Sequence, residues 1–378
     1  MIFFHFYKNF IFSASSIAPI TERVGLIGSL HRGLHAFRIE SEYKIETHSL
    51  KNEGSFTDLV YFKSLDVAYA YESKSHRIWR IKDPSTIISN ITTKLDIKET
   101  ISATSTTLDH RVFTKMTQSS ILDPESHIYI QTKSSQVTCF KINENTLKLK
   151  KHFVVNFMPN KRFVDFLPLN SQSLIFLSPS GIISLFKIKD DGSRACIVRE
   201  YCLENNSISL YYNGISRSNS EDYFVVSASE SSKNEKMKRL VLMRLDPDKF
   251  YFQRKFILEF GEAQNLVAKP QDSKLYFYSR QEDEESKLYL MQNVSGKHNM
   301  TVFNIQDSKI EELFTIHEFQ ERKRTDWKVF NDCLWCLDCS GNVRVIGIVQ
   351  DCAIGESRIL ATKRPPLTEL GGFSSNKV

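Results

Sequence analysis

Glycine and proline are scarce, at 14 and 10 of 378 residues. That excludes collagen-like and low-complexity chains and argues against an enzyme built around glycine-rich phosphate loops. No stretch approaches the roughly 18–20 uninterrupted apolar residues of a membrane-spanning helix, so no membrane insertion is expected. Cysteine is sparse and irregular. Its seven positions (139, 196, 202, 333, 336, 339 and 352) are odd in number and lack the spacing of a secreted disulfide framework, which points to a reducing compartment. Positive charge is only mildly in excess, at 50 Lys+Arg against 44 Asp+Glu, below the bias of a dedicated nucleic-acid binder. A nucleophile elbow, a phosphate-binding loop, a paired-histidine metalloprotease motif and a kinase set are all missing.

What is present is globular. Hydrophobic residues make up 41% and charged residues 25%, and the length exceeds the roughly 100–200 residues of one ordinary core. The chain is therefore either several domains or one large repetitive domain. The opening MIFFHFYKNFIF has no basic residues ahead of its apolar run, which is broken by His5, Lys8 and Asn9, so a strand is expected rather than a signal peptide. Phe3, His5 and Tyr7 would lie on one face of it and Phe4, Phe6 and Lys8 on the other.

Repetition is the informative signal. An apolar residue, usually Lys or Arg, then Ile or Leu closes one short apolar strand after another. The copies are Phe37-Arg38-Ile39, Trp79-Arg80-Ile81, Phe140-Lys141-Ile142, Phe186-Lys187-Ile188, Met243-Arg244-Leu245, Phe303-Asn304-Ile305 and, more weakly, Ile346-Gly347-Ile348. Steps of 42 to 61 residues separate them, room each time for four short strands and their loops. Before a copy comes a second strand and a polar turn, as in Leu174–Leu177 then Pro179-Ser180-Gly181. After it comes a turn such as Asp190-Asp191-Gly192 and a more polar strand such as 147–153 or 251–256. Seven copies imply seven modules.

This pattern resembles a degenerate WD-repeat-type β-propeller over roughly Val24 to Leu360. In that family each blade is a four-stranded sheet whose third strand ends in an aromatic followed by Asp, the place Trp79, Phe140 and Phe186 would take. Here the Asp is replaced by Arg or Lys, and no blade shows the Gly-His dipeptide. The resemblance implies an all-β, seven-bladed β-propeller, WD-repeat-like, with long polar inter-strand loops. The expected division is 1–23 as an N-terminal segment, 24–361 as the propeller and 362–378 as a flexible tail. Either the aromatic 2–12 or 354–361 could supply the strand that closes the ring.

Two regions resist the scheme: 99–109 reads as an extended loop, and 266–303 holds three strand candidates where two are expected. The stretch 310–324 could be a helix by its period but reads better as an outer strand followed by a charged loop.

Candidate chemistry is thin. Cys333, Cys336 and Cys339 have the spacing of half a metal signature without its second half, and Cys333 and Cys336 fall on opposite faces of a strand. His31 and His35 lack a third ligand. No catalytic, cofactor or metal-binding residue is assigned. Partner contacts are expected at Arg322, Lys323 and Arg324 and at Lys236, Lys238 and Arg239, in predicted loops where basic residues could meet an acidic protein segment or RNA phosphate.

The function expected is a non-catalytic protein–protein interaction scaffold without cofactor, a subunit of a larger nuclear or cytoplasmic complex. The alternatives are an RNA-associated propeller subunit and a propeller hydrolase or lactonase whose metal ligands are dispersed one per blade.

Overall fold

The computed structural model describes residues 2–7, 14–41, 44–75, 77–101, 115–118, 127–133, 136–156, 163–170, 172–188, 195–203, 210–217, 223–230, 237–246, 251–259, 274–279, 286–294, 297–306, 309–319, 326–330, 333–337 and 343–348. The first strand, β1 (Ile2–Tyr7), stands apart from its successors in the chain. Blade one is β2 (Ala14–Pro19), β3 (Val24–Ser29), β4 (Gly33–Ser41) and β5 (Lys44–Lys51), and blade two is β6 (Phe56–Phe62), β7 (Val67–Glu72), β8 (Arg77–Lys82) and β9 (Asp96–Ile101). Blade three is β10 (Lys115–Gln118), β11 (His127–Lys133), β12 (Gln136–Ile142) and β13 (Leu149–Asn156), and blade four β14 (Asp165–Asn170), β15 (Ser173–Leu177), β16 (Ile182–Ile188) and β17 (Ala195–Cys202). Blade five is β18 (Leu210–Arg217), β19 (Tyr223–Glu230), β20 (Met237–Asp246) and β21 (Tyr251–Glu259), and blade six β22 (Lys274–Ser279), β23 (Ser286–Val294), β24 (Lys297–Gln306) and β25 (Lys309–Phe319). Blade seven takes β26 (Asp326–Phe330), β27 (Cys333–Leu337) and β28 (Val343–Ile348) from the end of the described chain, and β1 from its beginning.

Every sheet is antiparallel, with its first strand innermost, and contacts between innermost strands of adjacent blades, such as β2 with β6, β14 with β18 and β26 with β2, carry the blades into a ring. The chain has the fold of a WD-like β-propeller. All seven recurrent strand ends lie in third strands.

The cores explain the motif. Each of the five buried apolar clusters sits between two blades rather than inside one, because a strand sends successive side chains to opposite faces. In β12, Val137 and Cys139 join the cluster shared with blade four, while Phe140 and Ile142 join that shared with blade two. Phe37 and Ile39 likewise face blade seven, Phe186 and Ile188 blade three, and Met243 and Leu245 blade four. The two apolar motif residues are thus the plug against the preceding blade. The basic residue between them points the other way, toward the following blade or solvent.

A second regularity lies in the outer strands. In blades two to six the pairing of third and fourth strands slips by one residue at the start of the motif, between Ile78/Trp79, Cys139/Phe140, Leu185/Phe186, Leu242/Met243 and Val302/Phe303. Each slip leaves one extra residue in the outer strand: Thr100, His152, Val198, Lys255 and Leu313. Such a bulge twists the edge and interrupts its flat array of donors and acceptors. In blade one the slips flank the motif instead, at Leu34/His35 and Ile39/Ser41. The ladder between β1 and β28 has none, running from Ile2↔Ile348 to Tyr7↔Val343 without a break.

Some expectations are corrected and others decided. The first blade begins at Ala14, not at 24, because β2 is its innermost strand. The closing strand is N-terminal, and 354–361 and 362–378 lie outside the described residues. The loop expected over 99–109 is strand as far as Ile101, since β9 is needed as the fourth strand of blade two; 102–109 lie outside the described residues. The three strand candidates of blade six are its inner three; the stretch 310–324 is, as expected, an outer strand, β25, as far as Phe319, and 320–324 lie outside the described residues.

Arg80 shows what a basic motif residue does when it reaches the next blade. Its guanidinium donates to the Thr146 carbonyl of blade three at 2.8 Å and to Asp96 of its own outer strand at 2.9 Å. The Tyr69 hydroxyl donates to the neighbouring Leu147 carbonyl at 2.9 Å. Leu147 adopts a left-handed backbone (φ 53) that a branched side chain rarely accepts, so this turn is held in place by the adjoining blade. Arg80→Ala is expected to lower stability by about 1–3 kcal/mol, because two acceptors lose a charged donor at a seam. Urea unfolding of the variant with Tyr69→Phe as companion checks it, and a double-mutant cycle reads their coupling.

Candidate functional site

The channel wall is built by the innermost strands. At the seam between blades seven and one, the buried Asp326 carboxylate accepts the Ile17 N–H at 3.0 Å; between blades four and five, Asp165 accepts the Ile215 N–H at 3.2 Å. Ser15 of β2 donates to the Phe56 carbonyl of β6 and, at 3.1 Å, to the Gly28 carbonyl. The bonds of Asp326, Asp165 and Ser15 to Ile17, Ile215 and Phe56 stitch inner strands of neighbouring blades side to side, while that to Gly28 stays within blade one. Lys328 places its ammonium 3.9 Å from Asp326 and 4.0 Å from Asp58, so these two carboxylates converge on a lysine. Among the described residues no group of three or more His, Cys, Asp or Glu side chains is arranged to hold a metal ion.

The basic residues expected to meet partners fare unevenly. Arg322, Lys323, Arg324 and Lys236 lie outside the described residues. Lys238 and Arg239 open β20 in blade five, where Arg239 is half-buried and paired across the sheet with Ala228 and Glu259. Of the six, the described residues thus include only Lys238 and Arg239.

Cys333 and Cys336 are strand positions in β27, and Cys339 lies outside the described residues. His31 is an exposed turn residue, whereas His35 is half-buried in β4 with its Nε2 2.8 Å from the Arg32 carbonyl. Burial lowers the His35 pKa, outweighing the carbonyl contact that raises it. A histidine depressed in the folded state leaves stability intact above its unfolded pKa of about 6.5 and erodes it as pH falls below that value. Denaturation at several pH values is expected to show this acid-side loss, and His35→Gln to reduce it.

The rim of blades four and five offers what the sequence reading missed. Among the described residues, the large apolar side chains most exposed are Ile88, Ile197, Val198 and Tyr251, at 50%, 41%, 48% and 49%. Three of the four belong to β17 and β21, outer strands of adjacent blades. Ile197 and Val198 are the bulge of β17, opposite Phe186, whose ring faces blade three.

On the other side of the same strand, Arg199 and Tyr201 stand opposite Leu185 and Ile183 and face blade five. There a shallow groove is lined by Ile183, Leu185, Arg199, Tyr201, Tyr251 and Phe252. Tyr201 meets Tyr251 edge-on at 6.5 Å and Phe252 at 6.1 Å, and the Arg199 guanidinium lies 5.9 Å from the Tyr251 ring centre. The available signal was the pair Ile197-Val198 in an otherwise polar outer strand; nothing in the sequence alone sets Tyr251 beside it.

No protein-family model matches the sequence, and no curated protein matches it. Solved structures do. Sqt1 of Saccharomyces cerevisiae superposes with a TM-score of 0.55 at 10% identity, over 90% of this chain and 97% of that one. The β-propeller domain of Nup133 from Vanderwaltozyma polyspora gives 0.53 at 12% identity, over 88% and 99%. A protein from Lactobacillus plantarum gives 0.51 at 10% identity, over 80% and 84%. At these identities the likeness is one of fold.

Proposed function

We propose that the chain is a non-catalytic interaction scaffold that serves as a subunit of a larger nuclear or cytoplasmic assembly. The observation that carries this reading is the apolar rim of blades four and five, where Ile197, Val198 and Tyr251 are each 41–49% exposed at and beside the bulge of β17. Exposed apolar residues scattered singly are ordinary, whereas three on two adjacent edges support a contact surface there. The mechanism is display. Seven sheets sealed against one another hold loops and edges at fixed angles, so a partner segment pays little to organise its receptor.

Affinity purification of the full chain from its native source tests the reading. Stoichiometric companions are expected, and recovery as a stable monomer alone would overturn it. Elemental analysis of the same material addresses the hydrolase alternative, which requires a stoichiometric bound metal.

A further inference from the structure

We propose that the groove between blades four and five is filled by the chain's own C-terminal extension, through Pro365-Pro366-Leu367 packed on Tyr201 and Tyr251 in a polyproline II conformation. This goes beyond the scaffold reading, which concerns other proteins. The occupant follows from the shape of the groove, the length of the chain and the place where that chain leaves the ring; Pro365-Pro366-Leu367 themselves lie outside the described residues.

Shape selects the ligand. The lining is mainly apolar, with Ile183, Leu185, Tyr201, Tyr251 and Phe252. Tyr201 and Tyr251 meet at an interplanar angle of 89°, so their rings form a corner, and Tyr251 is 49% exposed at it. Such a corner accepts a flat, rigid, apolar ring. Proline supplies one, brings no N–H that the groove would have to satisfy, and has its φ fixed in advance, so little conformational freedom is lost on docking. The chain's ten prolines include a single adjacent pair, Pro365-Pro366, and Leu367 follows it at once.

The connection reaches. Every blade is an antiparallel sheet with its first strand innermost, so the third strands all run toward the same face of the ring. β28 therefore ends at Ile348 on the face where β20 ends at Asp246, the ladder partner of Tyr251. Sixteen residues, 349–364, separate Ile348 from Pro365. Fully extended, they span roughly 55 Å at about 3.3–3.6 Å per residue, whereas a domain of this length is about 50 Å across.

Size decides between a tethered occupant and a separate one. A stable complex buries roughly 800 Å² on each partner, and three side chains about half in water, Ile197, Val198 and Tyr251, fall well short of that. A second copy held by this rim alone is disfavoured on that ground. A tether raises the effective concentration of its segment to about the millimolar range, so a contact too weak to hold a free peptide still fills the groove.

Hydrogen exchange at short times on the full chain tests this. The amides of Leu367 to Leu370 are expected to exchange about twofold to tenfold more slowly than in a free peptide of residues 361–372, the ratio that a millimolar effective concentration gives for a contact of about 0.1–1 mM affinity. Tyr251→Ala should remove that slowing with unchanged melting, and so should Pro365→Ala combined with Pro366→Ala. Val198→Asp, on the other side of β17, should leave it intact. The proposal is overturned by amides that exchange as fast as those of the free peptide, by slowing that survives the Tyr251 or the proline substitutions, or by slowing lost in Val198→Asp. Slowing that rises with protein concentration overturns it in favour of the extension of a second copy. Native companions on affinity purification bear on the scaffold reading alone, so either reading can fail without the other.

Discussion

Deleting residues 1–7 is expected to cost roughly 3 kcal/mol or more of stability, and to convert a well-behaved chain into one that aggregates. Six consecutive residues of β1 pair with β28 in an uninterrupted register. At about 0.5–1.5 kcal/mol net per intramolecular hydrogen bond, such a ladder alone reaches that sum. Removing it also leaves β28 as an uncovered six-residue edge with no bulge in its register, the arrangement that invites pairing between chains. Blade seven packs its Trp335, Leu337, Val343 and Val345 against Ile17, Phe37 and Ile39 of blade one, so loosening it loosens the seam that completes the ring. Urea denaturation and light scattering of the truncated chain check this. A synthetic peptide of residues 1–12 added in trans is expected to restore most of the loss, and unchanged stability after deletion would show that the ladder contributes nothing.

Phe176→Ala is expected to lower stability by about 3–5 kcal/mol, the usual cost of emptying a buried phenylalanine site. Phe176 is 2% exposed in the core between blades three and four. Its ring lies 5.0 Å from Phe163, 5.0 Å from Phe186 and 5.9 Å from Phe166, so alanine removes the ring that the other three pack around. A domain typically holds only about 5–15 kcal/mol in total, so the variant stands near the threshold of folding. Tyr251→Ala on the rim is the contrasting control, expected within about 0.5 kcal/mol of the parent because half of its surface is already in water. Thermal melts of both variants distinguish a core position from a docking position.

The repeat was legible because, in blades one to five, the ring makes the same physical demand each time. There the third strand plugs the preceding blade with side chains two apart, and that demand survives as Phe-Arg-Ile, Trp-Arg-Ile or Met-Arg-Leu after the signature Asp and glycine-bearing turns are gone. Ring closure was not legible, because 2–12 and 354–361 are both strand-like and only pairing with β28 distinguishes them. The bulges were hidden too. A one-residue slip in an outer strand changes which face a side chain takes without changing which residue types the strand favours. For the same reason Val198 looked like an ordinary strand residue, and the docking rim escaped a reading that weighed basic loops instead.

The pairing of β1 with β28 also sets a clock. Val343 is made more than 300 residues after Tyr7, which at about 5–20 residues per second is roughly 15–70 s of synthesis. Throughout that interval Ile-Phe-Phe-His-Phe-Tyr has its sequence but not its partner, while blades one to six can assemble behind it. The closing strand is thus both the oldest part of the ring and the last to find its place, and its aromatic run is the segment most in need of a chaperone's cover while it waits.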